Sequence, residues 1–328
     1  MLGGVLPDAV PDPADVLRAF ALPGEAVSYD PVPGGWSNTV LRLATTEGSY
    51  AVKVLRNPWG EPRWREWLAE GWRLEEAAYD AGLAVPDPVT APDGAVSLDV
   101  PVDGGAVAVR LHRWVDGART VPREPVDLPL ARWVGAALAG VHALALRPLH
   151  PGLYSGRTGL TRAVVWPDLV ARSQGAPWHD ALVDAEPLAR RAGALLVDDD
   201  PGDAVLCHGD VDQKNLLVAA DGPLLCDWDV VLPMPPAHDL AHAAVTMAGW
   251  REPEVARAVV DGYADVRGER PALLPTDLGP ALASRLGWVR FSVDRGLAGG
   301  DPGDVVGVLT DLVHRVDVAE NLPDWLSA

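Results

Sequence analysis

The chain has 328 residues, 48% of them hydrophobic and 22% charged, enough apolar material for one large or two ordinary domains; this excludes a disordered chain. A formal net charge of −19 argues against nucleic acid and anionic membrane as partners, and its spread along the sequence reads as general solubility. No run of about 18 apolar residues occurs, and the opening stretch lacks the basic flank and long apolar core of an export signal, so no membrane span and a cytoplasmic location are expected.

In chain order, residues 13–21 read as a short helix with proline near its start. The segments "AVSYDPV", "TVLRLATTEG" and "SYAVKVL" then read as three strands of a meander joined by "PGGWSN" and "TEGS". Helical spacing returns from Glu61 to Ala81, where Trp64, Trp67, Leu68, Trp72, Leu74, Ala78 and Tyr79 form a broad apolar face. That face reads as core packing rather than as a sugar-stacking platform. Further strands follow in "AVPDPVTAPDGAVSLDV" and "GGAVAVRLHRWVDG". After Gly117 the pattern becomes mainly helical, with "LPLARWVGAALAGVHALAL" and "ALVDAEPLARRAGALLV" each read as one helix. Residues 204–229 interrupt it with two apolar runs around an Asp221-Gly222 turn, as in a hairpin. The expectation is an α+β chain of two lobes, a strand-rich region over 1–116 and a mainly helical region over 117–328. Cys207 and Cys226 cannot build a disulfide framework and sit in apolar runs, as buried thiols do.

Of the 27 basic residues 25 are arginine, and Lys53 and Lys214 are the lysines. A compact ammonium where the chain otherwise uses planar guanidinium marks both positions for attention. Lys53 lies in the third strand, whereas Lys214 belongs to "HGDVDQKN", followed by "LLCDWD". A hairpin would gather Asp210, Asn215 and Asp227 at one end of a sheet, and hard oxygen ligands gathered in this way suit Mg²⁺ together with phosphate oxygens. Metal ligands, a carboxylate that can take a proton and a distant lysine are the parts of phosphoryl transfer.

The spacing from Asp210 to Asn215 resembles the catalytic loop of protein-kinase-like enzymes, and the "HGD" opening narrows the resemblance to the aminoglycoside phosphotransferase family. The ordered set of Lys53, "HGDxxxxN", Asp227 and the Asp239 of "DLA" carries it over nearly the whole chain. The resemblance implies a protein-kinase-like fold, with Asp210 as catalytic base, His208 bracing its loop, Asn215 and Asp227 as Mg²⁺ ligands, and Lys53 on the nucleotide phosphates. It implies further that Asp239 ties back to the loop. For the glutamate partner of Lys53, Glu70 is chosen because it shares a stripe with Leu74 and Ala77, with Glu75 second. Gly34, Gly35 and Ser37 would offer backbone N–H groups to the phosphates. The backbone of Arg113 and Val115 would meet the nucleotide base, where the side chains do not distinguish ATP from GTP. Lys214 is expected to point to solvent, Asp229 to support the metal or cap a turn, and His142 to be a satisfied helix histidine.

Eleven residues separate Asp227 from Asp239, too few for the activation segment of a protein kinase, so the expected partner is a small-molecule alcohol. The resemblance implies an antibiotic acceptor, most often a cationic aminoglycoside. A metabolite kinase using the same machinery is the alternative, and a non-catalytic relative is disfavoured by the presence of Lys53, Asp210, Asn215 and Asp227. Asp294, Asp301 and Asp304 are the carboxylates considered for a polycationic acceptor.

Overall fold

The structure, a computed structural model, describes residues 9–34, 38–57, 60–153, 163–197 and 202–327. In chain order its elements begin with α1 (Pro13–Ala19), β1 (Ala26–Val32), β2 (Thr39–Thr45), β3 (Gly48–Val54), α2 (Trp64–Asp80), β4 (Pro88–Val89), β5 (Ser97–Val102), β6 (Gly105–Arg113) and β7 (Arg119–Thr120). There follow α3 (Leu128–Ala143), α4 (Trp166–Arg172), α5 (His179–Asp184), α6 (Glu186–Ala194), β8 (Val205–Cys207), β9 (Leu216–Ala219), β10 (Gly222–Leu225) and β11 (Leu232–Met234). The chain closes with α7 (Pro236–Met247), α8 (Pro253–Arg267), α9 (Gly279–Leu297), α10 (Pro302–Glu320) and α11 (Leu322–Leu326). It divides into two compact units, one running to Thr120 and taking in Leu216–Asp229, the other formed by Val121–Asn215 and the chain from Val230 on.

The first unit is built on an antiparallel sheet ordered β1-β2-β3-β6, with β4 and β5 both pairing with β6. Alternation along β3 buries Tyr50, Val52 and Val54 and turns Lys53 to the other side. Those three pack with Leu41, Leu43, Val109 and Leu111 of the sheet and with Val16 and Phe20, the latter two from α1 and its C-cap. The Asp12 side chain caps α1 by accepting from Ala14 N at 2.8 Å. Leu68 and Trp72 of α2 form a separate cluster with Leu55 and Ala108.

Segment 216–229, expected with the helical region, belongs instead to the strand-rich unit. The reason is long-range pairing: β9 pairs with β7 as well as with β10, and Leu225 N donates to Ala84 O at 2.9 Å. In the second unit β8 pairs with β11. Helices α3 and α8 cross so closely that a Cβ on Gly135 would lie 1.9 Å from Val259 O, and one on Gly262 2.0 Å from Arg132 O. The single helix expected over residues 181–197 is two, α5 and α6, broken at Ala185. Pro187 lacks the N–H that would continue the helical ladder and its ring clashes with the carbonyl four residues back, so it serves instead in the first turn of α6.

Candidate active site

The residues picked out from the sequence fall into two groups, one in each unit. In the strand-rich unit Lys53 Nζ lies 2.6 Å from Asp227 Oδ1 and 2.6 Å from Asp229 Oδ2. Asp229 Oδ2 also accepts from Asn38 Nδ2 at 2.7 Å, and Asn38 Oδ1 accepts from Arg56 N at 2.8 Å. Asn38 thereby links the start of β2, the end of β3 and the Asp229 carboxylate. Burial works against the Lys53 ammonium, but Asp227 and Asp229 outweigh it and raise its pKa. Burial pushes the Asp229 carboxyl up, with Lys53 opposing. Asp227 follows β10 with φ +68, a left-handed conformation uncommon outside glycine. Just before Asp227 the Cys226 thiol is pushed up to about 12, first by burial and then by Asp227.

The ion pairs of Lys53 are thus to Asp227 and Asp229, not to a glutamate of α2. The Glu70 carboxylate takes Arg73 Nη2 at 2.8 Å. Glu75 pairs with Arg110 and lies 2.8 Å from His112 Nε2. The register explains the diversion: Arg110 stands directly across from Lys53 on β6 and offers α2 a competing cation. Asp229 was legible only as the second acid of an Asp-x-Asp spacing, and nothing in the sequence marks Asn38. Gly35 and Ser37 lie outside the described residues, while Gly34 has φ +109. The Arg113 amide donates to Asp87 O at 2.8 Å, and Val115 O accepts from Ala118 N at 3.3 Å, so Arg113 does not have its N–H to offer a base.

In the helical unit β8 ends at the loop of His208, Gly209 and Asp210. Gly209 has φ +77, and a Cβ there would stand 2.6 Å from Val230 O, so the turn requires glycine. Asp239 of α7 ties this loop down, accepting from His208 N and Gly209 N, each at 3.1 Å. His142 Nε2 lies 3.2 Å from the same carboxylate and its Nδ1 lies 3.2 Å from the Tyr263 hydroxyl, a buried, satisfied helix histidine. Burial opposes the Asp239 charge, but the hydrogen bonds to His142 and to the Gly209 amide hold its pKa down. Cys207, His142 and Asp239 cluster closely enough to hold an ion. Burial first, then Asp239, keeps the thiol protonated, and the cluster serves as a hydrogen-bonded brace.

His208 is fully buried, and its Nδ1 accepts from Asp210 N at 3.3 Å. The short 3₁₀ turn Gln213–Asn215 brings Asn215 Nδ2 to 3.0 Å from Asp210 Oδ2 and 2.8 Å from Asp210 O. The amide nitrogen of Asn215 is thus committed to Asp210, and its Oδ1 is an oxygen of the kind that suits a hard cation. The same turn places Lys214 Nζ 2.9 Å from Asp210 Oδ2, so Lys214 does not simply point to solvent; the i,i+4 spacing returns it to the carboxylate. Gln213 Nε2 donates to Thr246 O at 2.7 Å, a second tie from the loop to α7.

The Phosphotransferase enzyme family model matches residues 28–274. The chain belongs to this family. It is a phosphotransferase of α+β fold. Among solved structures, an aminoglycoside phosphotransferase from Alicyclobacillus acidocaldarius is similar in fold, with 17% identity, a TM-score of 0.62 and coverage of 99% of this chain and 98% of that one. An amicoumacin kinase in complex with AMP-PNP, Ca²⁺ and Ami gives 14%, 0.63, 95% and 94%. A microcompartment-associated aminopropanol kinase gives 19%, 0.60, 95% and 98%. Comparison with curated protein sequences returns no match.

Proposed function

We propose that this phosphotransferase uses ATP and Mg²⁺ to move the terminal phosphoryl group to a hydroxyl of a small molecule, and that it works in the cytoplasm. The observation that carries the reading is Asp210, a partly exposed carboxylate fixed by Asn215 and Lys214 on a loop anchored to α7 through Asp239. In this reading Asp210 accepts the proton of the acceptor hydroxyl as its oxygen bonds to phosphorus and the bond to the nucleotide's bridging oxygen breaks. Lys53 contacts the nucleotide phosphates, while Asn215 and Asp227 hold Mg²⁺, a donor set of amide and carboxylate oxygen that suits a hard cation. When bound, that ion neutralises charge developing on the phosphates. GTP meets the same phosphate contacts. The nucleotide and divalent ion named for the amicoumacin kinase complex support a nucleotide with a metal.

Of the acceptor readings, a metabolite alcohol is preferred. The carboxylates considered for a polycation have other partners: Asp294 pairs with Arg172, Asp301 caps α10 and Asp304 faces Arg295. The antibiotic reading retains the support of the fold shared with the aminoglycoside phosphotransferase. The test is product formation from MgATP with a panel of alcohols and aminoglycosides. Nucleotide binding with no phosphorylated product from any hydroxyl compound would refute the transfer reading.

A further inference from the structure

The turn that carries Asn215 also fixes where Lys214 leaves the chain. Gln213 is buried, its Nε2 donates to Thr246 O at 2.7 Å and to Glu124 O at 3.3 Å, and the Lys214 amide donates to Asp212 Oδ1 at 2.9 Å. The backbone around Lys214 is held in this way, and its half-exposed side chain folds back on Asp210.

Both contacts of the Asp210 carboxylate fall on one oxygen. Lys214 Nζ lies 2.9 Å from Oδ2 and Asn215 Nδ2 3.0 Å from the same atom, and among the described residues no hydrogen bond or ion pair reaches Oδ1. An acceptor hydroxyl that gives its proton to Oδ1 stands about 2.6–3.2 Å from that oxygen. The phosphorus that bonds to this hydroxyl lies one bond further on, within reach of an ammonium on a flexible four-carbon stem that already touches the carboxylate.

Charge decides what the ammonium does there. Before transfer the Asp210 carboxylate matches the Lys214 charge; once Asp210 has taken the hydroxyl proton it is neutral, and that match is gone. Asp212 carries the same charge before and after the step, so it does not offset the change. The ammonium therefore gains attraction for the phosphoryl oxygens as the proton moves, an interaction that favours the transition state over the bound reactants. A compact ammonium has three donors, so one Nζ serves a carboxylate and a phosphoryl oxygen together. The chain writes arginine at 25 of its 27 basic positions and departs from it here.

Resting on the phosphotransferase reading, we propose that Lys214 is a further catalytic residue, contacting an oxygen of the phosphoryl group in flight with the ammonium that holds Asp210. In the step the acceptor oxygen bonds to phosphorus and its proton passes to Asp210 Oδ1. The bond from phosphorus to the bridging oxygen breaks, its electron pair stays on the nucleoside diphosphate, and Lys214 keeps its protons throughout.

The test uses the full chain with MgATP and glycerol, ethanolamine, L-serine and aminoglycosides as probes. With the alcohol that is turned over best, Lys214→Met should lower kcat by about ten- to a hundredfold, the loss of a charged hydrogen bond, with KM and Mg·AMP-PNP affinity unchanged. A lysine that only steadies Asp210 would also lower kcat, so the change is repeated on Asp210→Asn. There the phosphoryl contact predicts a further fall of about tenfold, whereas a steadying lysine has no base left to steady and predicts none. A second readout needs no turnover: Mg·ADP with aluminium fluoride and the same alcohol, a mimic of the phosphoryl group in flight, should bind Lys214→Met about tenfold more weakly by calorimetry. Should Lys214→Met fail to fold by circular dichroism, Lys214→Gln is judged by the same measures. An unchanged kcat, a double variant no slower than Asp210→Asn, or equal binding of the aluminium fluoride complex overturns the inference and leaves the transfer reading standing. Nucleotide binding with no phosphorylated product from any hydroxyl compound would overturn that reading, and the inference with it.

Discussion

Asp210 is held by groups that fix its position without removing it from solvent, which is what a base for an incoming hydroxyl requires. Asp210→Asn keeps the shape of the side chain and its place beside Asn215 but cannot take a proton, so turnover should fall by about two or more orders of magnitude with nucleotide binding retained. Near-normal turnover would remove Asp210 from the role of base. Lys53 poses a different question, because it stands between two aspartates in a mostly buried setting. Lys53→Met leaves those carboxylates facing each other without a cation and should cost about 3–5 kcal/mol in urea unfolding. Adding Asp229→Asn removes one of the two charges, so the double variant should be less destabilised than the sum of the single ones. Strict additivity would mean that Asp229 does not hold Lys53.

Helix α2 carries its charge differently, since Glu75 is buried with Arg110 and His112 on β6. Burial opposes its ionisation, but His112 and then Arg110 lower its pKa from 4.5 to about 2. A carboxyl depressed in the folded state contributes stability that is fully present above its unfolded pKa and is lost as pH falls through the folded value. That share, at most about 3 kcal/mol, should disappear between about pH 4.5 and 2. Denaturation followed against pH should show a shallower acid slope in Glu75→Gln than in the parent chain, and equal slopes would contradict the assignment. The helix itself was legible from its apolar spacing, as were β1 to β3. Which glutamate meets which cation was not, because the answer lies in the pairing of Lys53 with Arg110 across two strands far apart in sequence. The break at Ala185 was legible in Pro187, but apolar spacing continuing on both sides outweighed that one residue in the reading.

At the scale of the whole chain, the two regions and the order of Lys53, Asp210, Asn215 and Asp227 could be read from the sequence, because strand alternation, helical spacing and loop motifs are local signals. The membership of 216–229 could not, since it rests on β7 pairing with β9 across nearly a hundred residues. This arrangement has a thermodynamic consequence. Lys53 and Asp227 belong to one unit, His208, Asp210 and Asn215 to the other, and a nucleotide that binds only the native chain stabilises it by mass action. At a hundredfold excess over Kd the gain is about 2.7 kcal/mol, which raises Tm by several degrees in a chain of this size. If Asp227 is the carboxylate ligand of Mg²⁺, Asp227→Ala should lose the part of that rise that depends on magnesium, and ATP with Mg²⁺ should then protect no better than ATP with EDTA. Asp304→Ala, a surface change beside Arg295, should keep the full difference. Thermal unfolding of the three proteins with and without Mg²⁺ decides the point, and an undiminished magnesium-dependent rise in Asp227→Ala would place the metal on other residues.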